Sequence, residues 1–237
     1  MDRCRYEAVL FDYGNTLVMY FTREQWPAIL EEAIAGVVGV LRARGLPVVE
    51  GAPLAAAVEA QRGECADHAV RPLADRLAAI FGLDGGRTDA ALVDAMSRAF
   101  LTPIFATARP ADDVHDALRR LRADGLKVGI LSNTPWGTPG ALWRDELARH
   151  GLLEAVDAVV FCTDTGYRKP APHGFACLCR RLDVAADRAV FIGDDPRWDL
   201  AGPRGVGMDA LLIDRTGTRP EADLTTLAEL PDRLARR

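Results

Sequence analysis

Residues 7–17, EAVLFDYGNTL, decide the fold. Their first part, EAVLF (residues 7–11), is a short apolar run that ends at Asp12, and Gly14 and Asn15 behind it form a turn signal. Alternating apolar and polar residues would describe a strand with one wet face. A continuous run describes a strand buried on both faces, as in the middle of a parallel sheet. Three later stretches have the same form: KVGILSN (127–133), AVVFCTD (158–164) and AVFIGDD (189–195). A fifth, DALLID (209–214), follows the glycine-rich GPRGVGM (202–208).

Helical patterns separate these runs. ADDVHDALRRLRADG (111–125) puts Val114, Leu118 and Leu121 on one face and ends on Gly125, while PGALWRDELARHG (139–151) and HGFACLCRRLDV (173–184) behave alike. Strand and helix alternating in this way predict an α/β fold, a Rossmann-like doubly wound parallel sheet with right-handed crossovers. Active sites in such sheets sit beyond the carboxyl ends of the strands, so the polar residues there are the candidates.

Residues 19–107 read differently. Apolar residues recur at helical spacing (Ile29, Ala33, Val37; Leu73, Leu77, Ile80; Leu92, Met96, Phe100), punctuated by Pro47, Gly51, Pro53, Gly82 and the pair Gly85–Gly86. This predicts an all-helical insertion of about four helices. The core would be residues 1–18 and 108–237, with crossings near 19–22 and 107–110. The tail from Thr216 is polar with a short helical finish, and no function is read in it.

At 237 residues and 49% hydrophobic content the chain can bury a sizeable core. A net charge of −5 gives no pull towards nucleic acid or an anionic membrane. The first apolar stretch is too short for a signal sequence, and no run is long enough to span a bilayer, so a soluble, cytoplasmic protein is expected. The odd count of cysteines (Cys4, Cys65, Cys162, Cys177, Cys179) fits free thiols in a reducing compartment. Cys177 and Cys179 share a predicted helix but point to different faces, which argues for packing rather than a shared ion. His68, His115, His150 and His173 are isolated and expected to be solvated or locally bonded. Tyr20, Trp26, Trp136 and Trp143, near the hinges and the second strand, are expected mainly in packing, with a pocket-lining role as the alternative.

Taken in order, the strand ends carry Asp12, then Ser132, then Lys169, then Asp194, Asp195 and Asp199. A carboxylate attacks phosphorus only if its own charge and that of the substrate are both offset. Mg²⁺, a hard cation that prefers carboxylate, carbonyl and water oxygens, does this by bridging the two. Lys169 adds a second positive charge, and Ser132 with nearby backbone N–H groups can hold phosphate oxygens.

This order resembles the haloacid dehalogenase superfamily over nearly the whole chain, through FDYGNTL at Asp12, ILSN at Ser132, RKP at Lys169 and FIGDDPRWDLAG at Asp194 to Asp199. The resemblance implies a hydrolase with a Rossmann-like core, an aspartyl-phosphate intermediate on Asp12, a Mg²⁺ cofactor, a small phosphorylated substrate, and an insertion acting as a helical cap. It implies Mg²⁺ binding by Asp12, the Gly14 carbonyl and Asp194. Asp199 would complete the shell or orient Lys169, and Asp195 would be a ligand or lie just behind one. Thr16, Ser132, Asn133 and Lys169 would orient the nucleophile or bind phosphate.

One departure stands out. The usual motif is Asp-x-Asp-Gly-Thr, whereas here Gly14 and Asn15 follow Tyr13, so the side chain that ordinarily serves as general acid and base is missing. Such a group contributes about 10²–10⁴-fold in rate. Substrates with good leaving groups, a substitute acid from the cap or a water, or a feeble enzyme would each accommodate the loss. The dehalogenase branch, which needs no metal, is a rival supported by Ser132–Asn133 and Trp198–Asp199. Uncompensated carboxylates at Asp194 and Asp195 count against it. A phosphate-binding protein without turnover is the third reading.

Overall fold

The computed structural model describes residues 5–83 and 89–235; Cys4 and the pair Gly85–Gly86 lie outside them. β1 (Ala8–Phe11) is followed by the short β2 (Val18–Met19). Next come four helices, α1 (Trp26–Ala43), α2 (Gly51–Ala60), α3 (Leu73–Phe81) and α4 (Ala90–Ala106), and then β3 (Arg109–Pro110). The remainder alternates: α5 (Val114–Ala123), β4 (Lys127–Ser132), α6 (Gly140–Arg149), β5 (Ala158–Phe161), the single turn α7 (Cys162–Thr165) and α8 (Pro172–Leu182). β6 (Ala189–Gly193), α9 (Ala201–Gly205), β7 (Asp209–Leu212) and α10 (Leu230–Ala235) complete it.

The five long strands form one parallel sheet in the order β5-β4-β1-β6-β7. β1 is central, and all four of its residues are buried, as its unbroken apolar run requires. Its side chains alternate. Ala8 and Leu10 face a cluster with Phe175 and Leu178 of α8, while Val9 and Phe11 face a larger cluster that continues into α1, α3 and α4. The sheet is thus covered on both faces, the doubly wound arrangement expected.

The chain leaves for the four helices through β2 and returns through β3, which pair antiparallel (Val18 with Pro110, Met19 with Arg109). Two residues per strand are too few for any periodicity, so the ribbon was not foreseen, although it falls where the crossings were expected. All nine apolar positions read as helical in the insertion are buried. α2 buries none of its residues, consistent with its lack of a clear stripe. Among the described residues no helix is long and apolar enough to cross a membrane.

Two strands are shorter than the sequence suggests. The run at 158–164 stops at Phe161 because Asp164 turns back to accept from the Phe161 N–H at 3.0 Å and starts a helical turn. The run at 209–214 stops at Leu212, after which Asp214 gathers the following loop. The polar tail also does more than the sequence implied: Leu224, Leu227, Leu230 and Leu234 close the lower edge of the larger cluster.

α1 packs closely on α4, where a Cβ on Gly36 would lie 3.0 Å from the Ala99 backbone carbonyl oxygen. Backbone cannot move aside as a flexible side chain can. Gly36→Val is therefore expected to lower stability by about 1–3 kcal/mol, read as a lower midpoint in urea unfolding.

Candidate active site

Asp12 is the first residue beyond β1, and its backbone N–H still bonds the Ile192 carbonyl of β6 at 2.9 Å. This fixes the carboxylate at the crevice between neighbouring strands. Asp12 Oδ1 accepts from Ser132 Oγ at 2.8 Å, from the end of β4, and from Lys169 Nζ at 2.6 Å. Two donors on one oxygen lock the rotation of the carboxylate. Lys169 Nζ also donates to Asp199 Oδ1 at 2.7 Å, and Asp199 Oδ2 accepts from the Asp195 N–H at 3.1 Å.

The acidic segment is shaped by a wide π-type turn, Pro196–Leu200, following β6. Such turns are uncommon and occur often at functional sites. Asp195 caps the turn by accepting from the Arg197 N–H at 2.8 Å, while Asp199 is swung inwards against Gly193. A Cβ on Gly193 would fall 2.3 Å from the Asp199 carboxyl group, so that approach needs glycine. The result is a group of carboxylate oxygens from Asp12, Asp194 and Asp199, all within 4.8 Å of one another.

Three carboxylates against one ammonium leave the cluster electrostatically unsatisfied. Burial, then repulsion from Asp12 and Asp199, pushes Asp194 up to about 8. Asp199 is pushed up to about 6 by burial, opposed by Lys169. Burial works against the charge on Lys169, yet Asp12 and Asp199 hold it well above its ordinary value.

The structure therefore gathers Asp12, Gly14, Ser132, Lys169, Asp194, Asp195 and Asp199 at one cavity of about 220 Å³. Two larger cavities, of about 610 and 710 Å³, lie away from the strand ends, beside α5 and between α1 and α2. Asn133 also borders the site. Its amide, however, brackets the Lys169 backbone, accepting from the Lys169 N–H at 2.8 Å and donating to its carbonyl at 3.2 Å. It positions the lysine, beside the expectation that it orients the nucleophile or binds phosphate. Thr16 is not at the pocket wall. It is fully buried, and its hydroxyl has no partner among the described residues, because the chain turns away from the site after Asn15. Asp195, with its carboxylate on the Arg197 N–H, stands outside the converging trio.

Sequence reasoning missed two arginines of the tail. Arg219 Nη1 donates to the Asp194 carbonyl at 2.7 Å, and Arg215 Nε donates to the Thr16 carbonyl at 2.7 Å. They tie down the acidic loop and the loop after Asp12. A signal was present in DRTGT (214–218): Asp214 accepts from the N–H groups of Thr216, Thr218 and Arg219, an aspartate turn that aims Arg219 at the site.

The helical insertion reaches the rim. Residue 69 bridges Tyr167, and the Val70 N–H donates to the Gly166 carbonyl at 2.8 Å, just ahead of Lys169. Glu64 Oε2 meets Arg76 at 3.0 Å and Arg168 at 3.8 Å. Trp143 is part of an aromatic cluster with Tyr13, Tyr20 and Phe105, yet it borders the cavity with Tyr20 and Phe21, so packing and lining coincide. Trp136 packs on Phe100, and Trp26 stacks on Phe21. The histidines are locally engaged where contacts are resolved: His150 with Glu146, His173 stacked on Tyr167, His68 edge-on to Trp198.

Residues 6–207 match the family model for haloacid dehalogenase-like hydrolases. Ribulose-1,5-bisphosphate 5-phosphatase of Halopiger xanaduensis is 34% identical over 134 residues, 51% of this chain and 54% of that protein. (S)-2-haloacid dehalogenase of Pseudomonas sp. (strain YL) is 29% identical over 126 residues, 53% and 52% of the two chains. The chain spans about half the length of the curated relatives it matches. A solved HAD phosphatase from Thermococcus onnurineus superposes with a TM-score of 0.65 at 25% identity, covering 96% of this chain and 97% of that one.

The charge imbalance has a measurable sign. A carboxyl that holds its proton more tightly folded than unfolded costs the fold nothing at low pH. The cost grows as pH rises from the ordinary carboxylate range to about 8. Asp194→Asn removes it. In metal-free protein this variant is expected to melt at a higher temperature than the parent near pH 8 and at nearly the same temperature near pH 4, read by calorimetry.

Proposed function

The chain belongs to the haloacid dehalogenase-like hydrolase family, and from that premise we propose that it is a Mg²⁺-dependent phosphatase of small phosphomonoesters working through an aspartyl-phosphate on Asp12. The observation that carries the proposal is the convergence of Asp12, Asp194 and Asp199 around a single ammonium group.

The donor set suits a hard divalent cation. It is all oxygen, rich in carboxylate and short of positive charge, and burial with repulsion from Asp12 and Asp199 holds the Asp194 carboxyl well above its ordinary range. Asp12, Asp194 and the Gly14 carbonyl would hold the ion, with Asp199 turned to Lys169 and Asp195 behind the turn. When bound, Mg²⁺ supplies the positive charge that lets an anionic nucleophile approach an anionic phosphate.

The chain's own groups account for the rest. Ser132 and Lys169 hold Asp12 in one orientation, which converts attack into a positioned, near-unimolecular event. A carboxylate oxygen of Asp12 bonds phosphorus as the bond to the leaving oxygen breaks. Lys169 offsets the charge that spreads over the phosphoryl oxygens. Water then attacks the same phosphorus, the bond to Asp12 breaks, and inorganic phosphate leaves.

Residues 19–107 would act as a cap over the core of residues 1–18 and 108–237. The β2–β3 ribbon is the hinge in this reading, and Tyr20, Phe21 and the residues around Glu64 face the rim. A cavity of about 220 Å³ suits a small substrate. The four cysteines in the described part are free, as a cytoplasmic setting would have them.

The similarity to a haloacid dehalogenase gives a second reading, attack of Asp12 on carbon without metal. A haloacid carries one negative charge and would meet the cluster at Asp12, Asp194 and Asp199 with nothing to offset it beyond Lys169. Halide release from a 2-haloacid in the presence of a chelator would establish this reading against ours.

Cation binding at Asp194 must compete with the proton that burial and its carboxylate neighbours hold there. Mg²⁺ is therefore expected to raise the melting temperature, and to raise it more near pH 8 than near pH 5. Asp12→Asn is expected to lower kcat on an activated aryl phosphate by about 10³-fold or more while the Mg²⁺-free fold still melts cooperatively. Equal turnover by parent and variant would dismiss the proposal.

A further inference from the structure

We propose that Arg168 anchors a second anionic group of the substrate, so that this site takes small phosphomonoesters that also carry a carboxylate or a further phosphate. The inference rests on the phosphatase reading above and narrows its substrate class.

Among the described residues two cationic side chains line the active-site cavity, Lys169 and Arg168, and they are neighbours in the chain. Their partners differ in kind. Lys169 commits its charge to Asp12 and Asp199. Arg168 has no carboxylate of its own. Its Nη1 donates to the Thr134 carbonyl at 3.0 Å, a neutral acceptor, and its Nε is enclosed with no hydrogen-bond partner among the described residues. Glu64 Oε2 stands 3.8 Å from that Nε, near enough to feel its charge but too far to accept its proton. The Arg168 side chain nevertheless keeps 14% of its surface exposed where it borders the cavity.

Glu64 is needed elsewhere. It accepts from Arg76 Nη2 at 3.0 Å, and Arg76 is a fully buried arginine of α3. The other bonds of Arg76 go to the backbone carbonyls of Arg71, Gln61 and Gly63, none of which offsets a charge. Arg71 bonds the Gln61 side chain and the Gly63 carbonyl, again neutral groups. Burial pulls Arg76 below its ordinary value, Glu64 opposes that, and the charges of Arg71 and Arg168 add to it. Three guanidinium groups thus surround one carboxylate.

The surroundings of the cavity therefore carry two imbalances of opposite sign. The carboxylates of Asp12, Asp194 and Asp199 outnumber the Lys169 ammonium, and the guanidinium groups outnumber Glu64. A phosphate held with a cation answers the first. A second anionic group on the same molecule answers the second, and of the three arginines Arg168 is the one in the cavity lining. A guanidinium presents N–H donors in one plane, a match for the oxygens of a carboxylate or a phosphate. This one is also set in place in advance. Its backbone N–H donates to the His68 carbonyl of the insertion at 2.8 Å, and Nη1 is fixed on Thr134. Binding an anion there requires little further ordering.

The test uses a matched series with Mg²⁺: propane-1,3-diol monophosphate, the corresponding bisphosphate, and 3-phosphonooxypropanoate, which carries a carboxylate in place of the free alcohol. The parent should favour the carboxylate, the bisphosphate or both over the monophosphate by about 10-fold or more in kcat/KM, expressed mainly in KM. Whichever is favoured identifies the anion. Arg168→Gln should bring that ratio close to one, and Arg168→Lys, which keeps the charge without the planar fork, should retain part of it. Each ratio compares substrates on the same protein, so a general loss from disturbing Lys169 cancels. A preference that survives in Arg168→Gln overturns the assignment, as does a variant that loses all three substrates alike with the ratio unmoved. A parent that treats the three alike overturns the inference while the phosphatase reading stands, and this needs no variant to fold. No turnover of any member removes both.

Discussion

The Lys169 ammonium sits 2.6 Å from Asp12 Oδ1 and 2.7 Å from Asp199 Oδ1 at the floor of the crevice, and much of the molecule serves to keep it there. Paired buried charges recover their desolvation cost only when geometry is tight and the remaining lone pairs are satisfied. Here Ser132 and the Asp195 N–H supply those further bonds, and Asn133 fixes the lysine's own backbone on both sides. With Asp194 counted, three carboxylates face one ammonium, and that deficit is what the proposed cation would offset.

The sheet delivers these groups from separate parts of the chain. β1 brings Asp12, β4 brings Ser132, and the loop before α8 brings Lys169 against the Phe191 ring of β6. The π-type turn after β6 then aims Asp199 inwards and Asp195 outwards, a division that a regular helix with the same residues would not make. Arg215, just after β7, and Arg219 of the tail hold the loops after β1 and β6 by their carbonyls. A segment that looks like solvated filler is thus a brace for the loops after β1 and β6.

How far the sequence reaches can be judged residue by residue. Unbroken apolar runs located all five long strands, though not the ends of β5 and β7, because burial on both faces leaves no other pattern. Helical spacing located the buried faces of α1, α3 and α4 for the same reason. The two-residue ribbon, the π-type turn and the inward swing of Asp199 depend on tertiary contacts between distant residues, so no local pattern encodes them. Thr16 and Asn133 show the limit most clearly. Both follow a strand end closely in sequence, but side-chain direction is set by where the backbone turns next, and that sends one into the core and the other to Lys169.

Similarity to both a phosphatase and a dehalogenase leaves the reacting atom, phosphorus or carbon, to be decided by charge. Covalent phosphoryl transfer to Asp12 is the central proposal. Its most direct test is acid quenching of the Mg²⁺-loaded protein during turnover of 4-nitrophenyl phosphate, followed by peptide mass mapping. A phosphoryl group on the peptide that carries Asp12, lost in Asp12→Asn, is the predicted result. Product release with no label on that peptide, or with the label elsewhere, would contradict it.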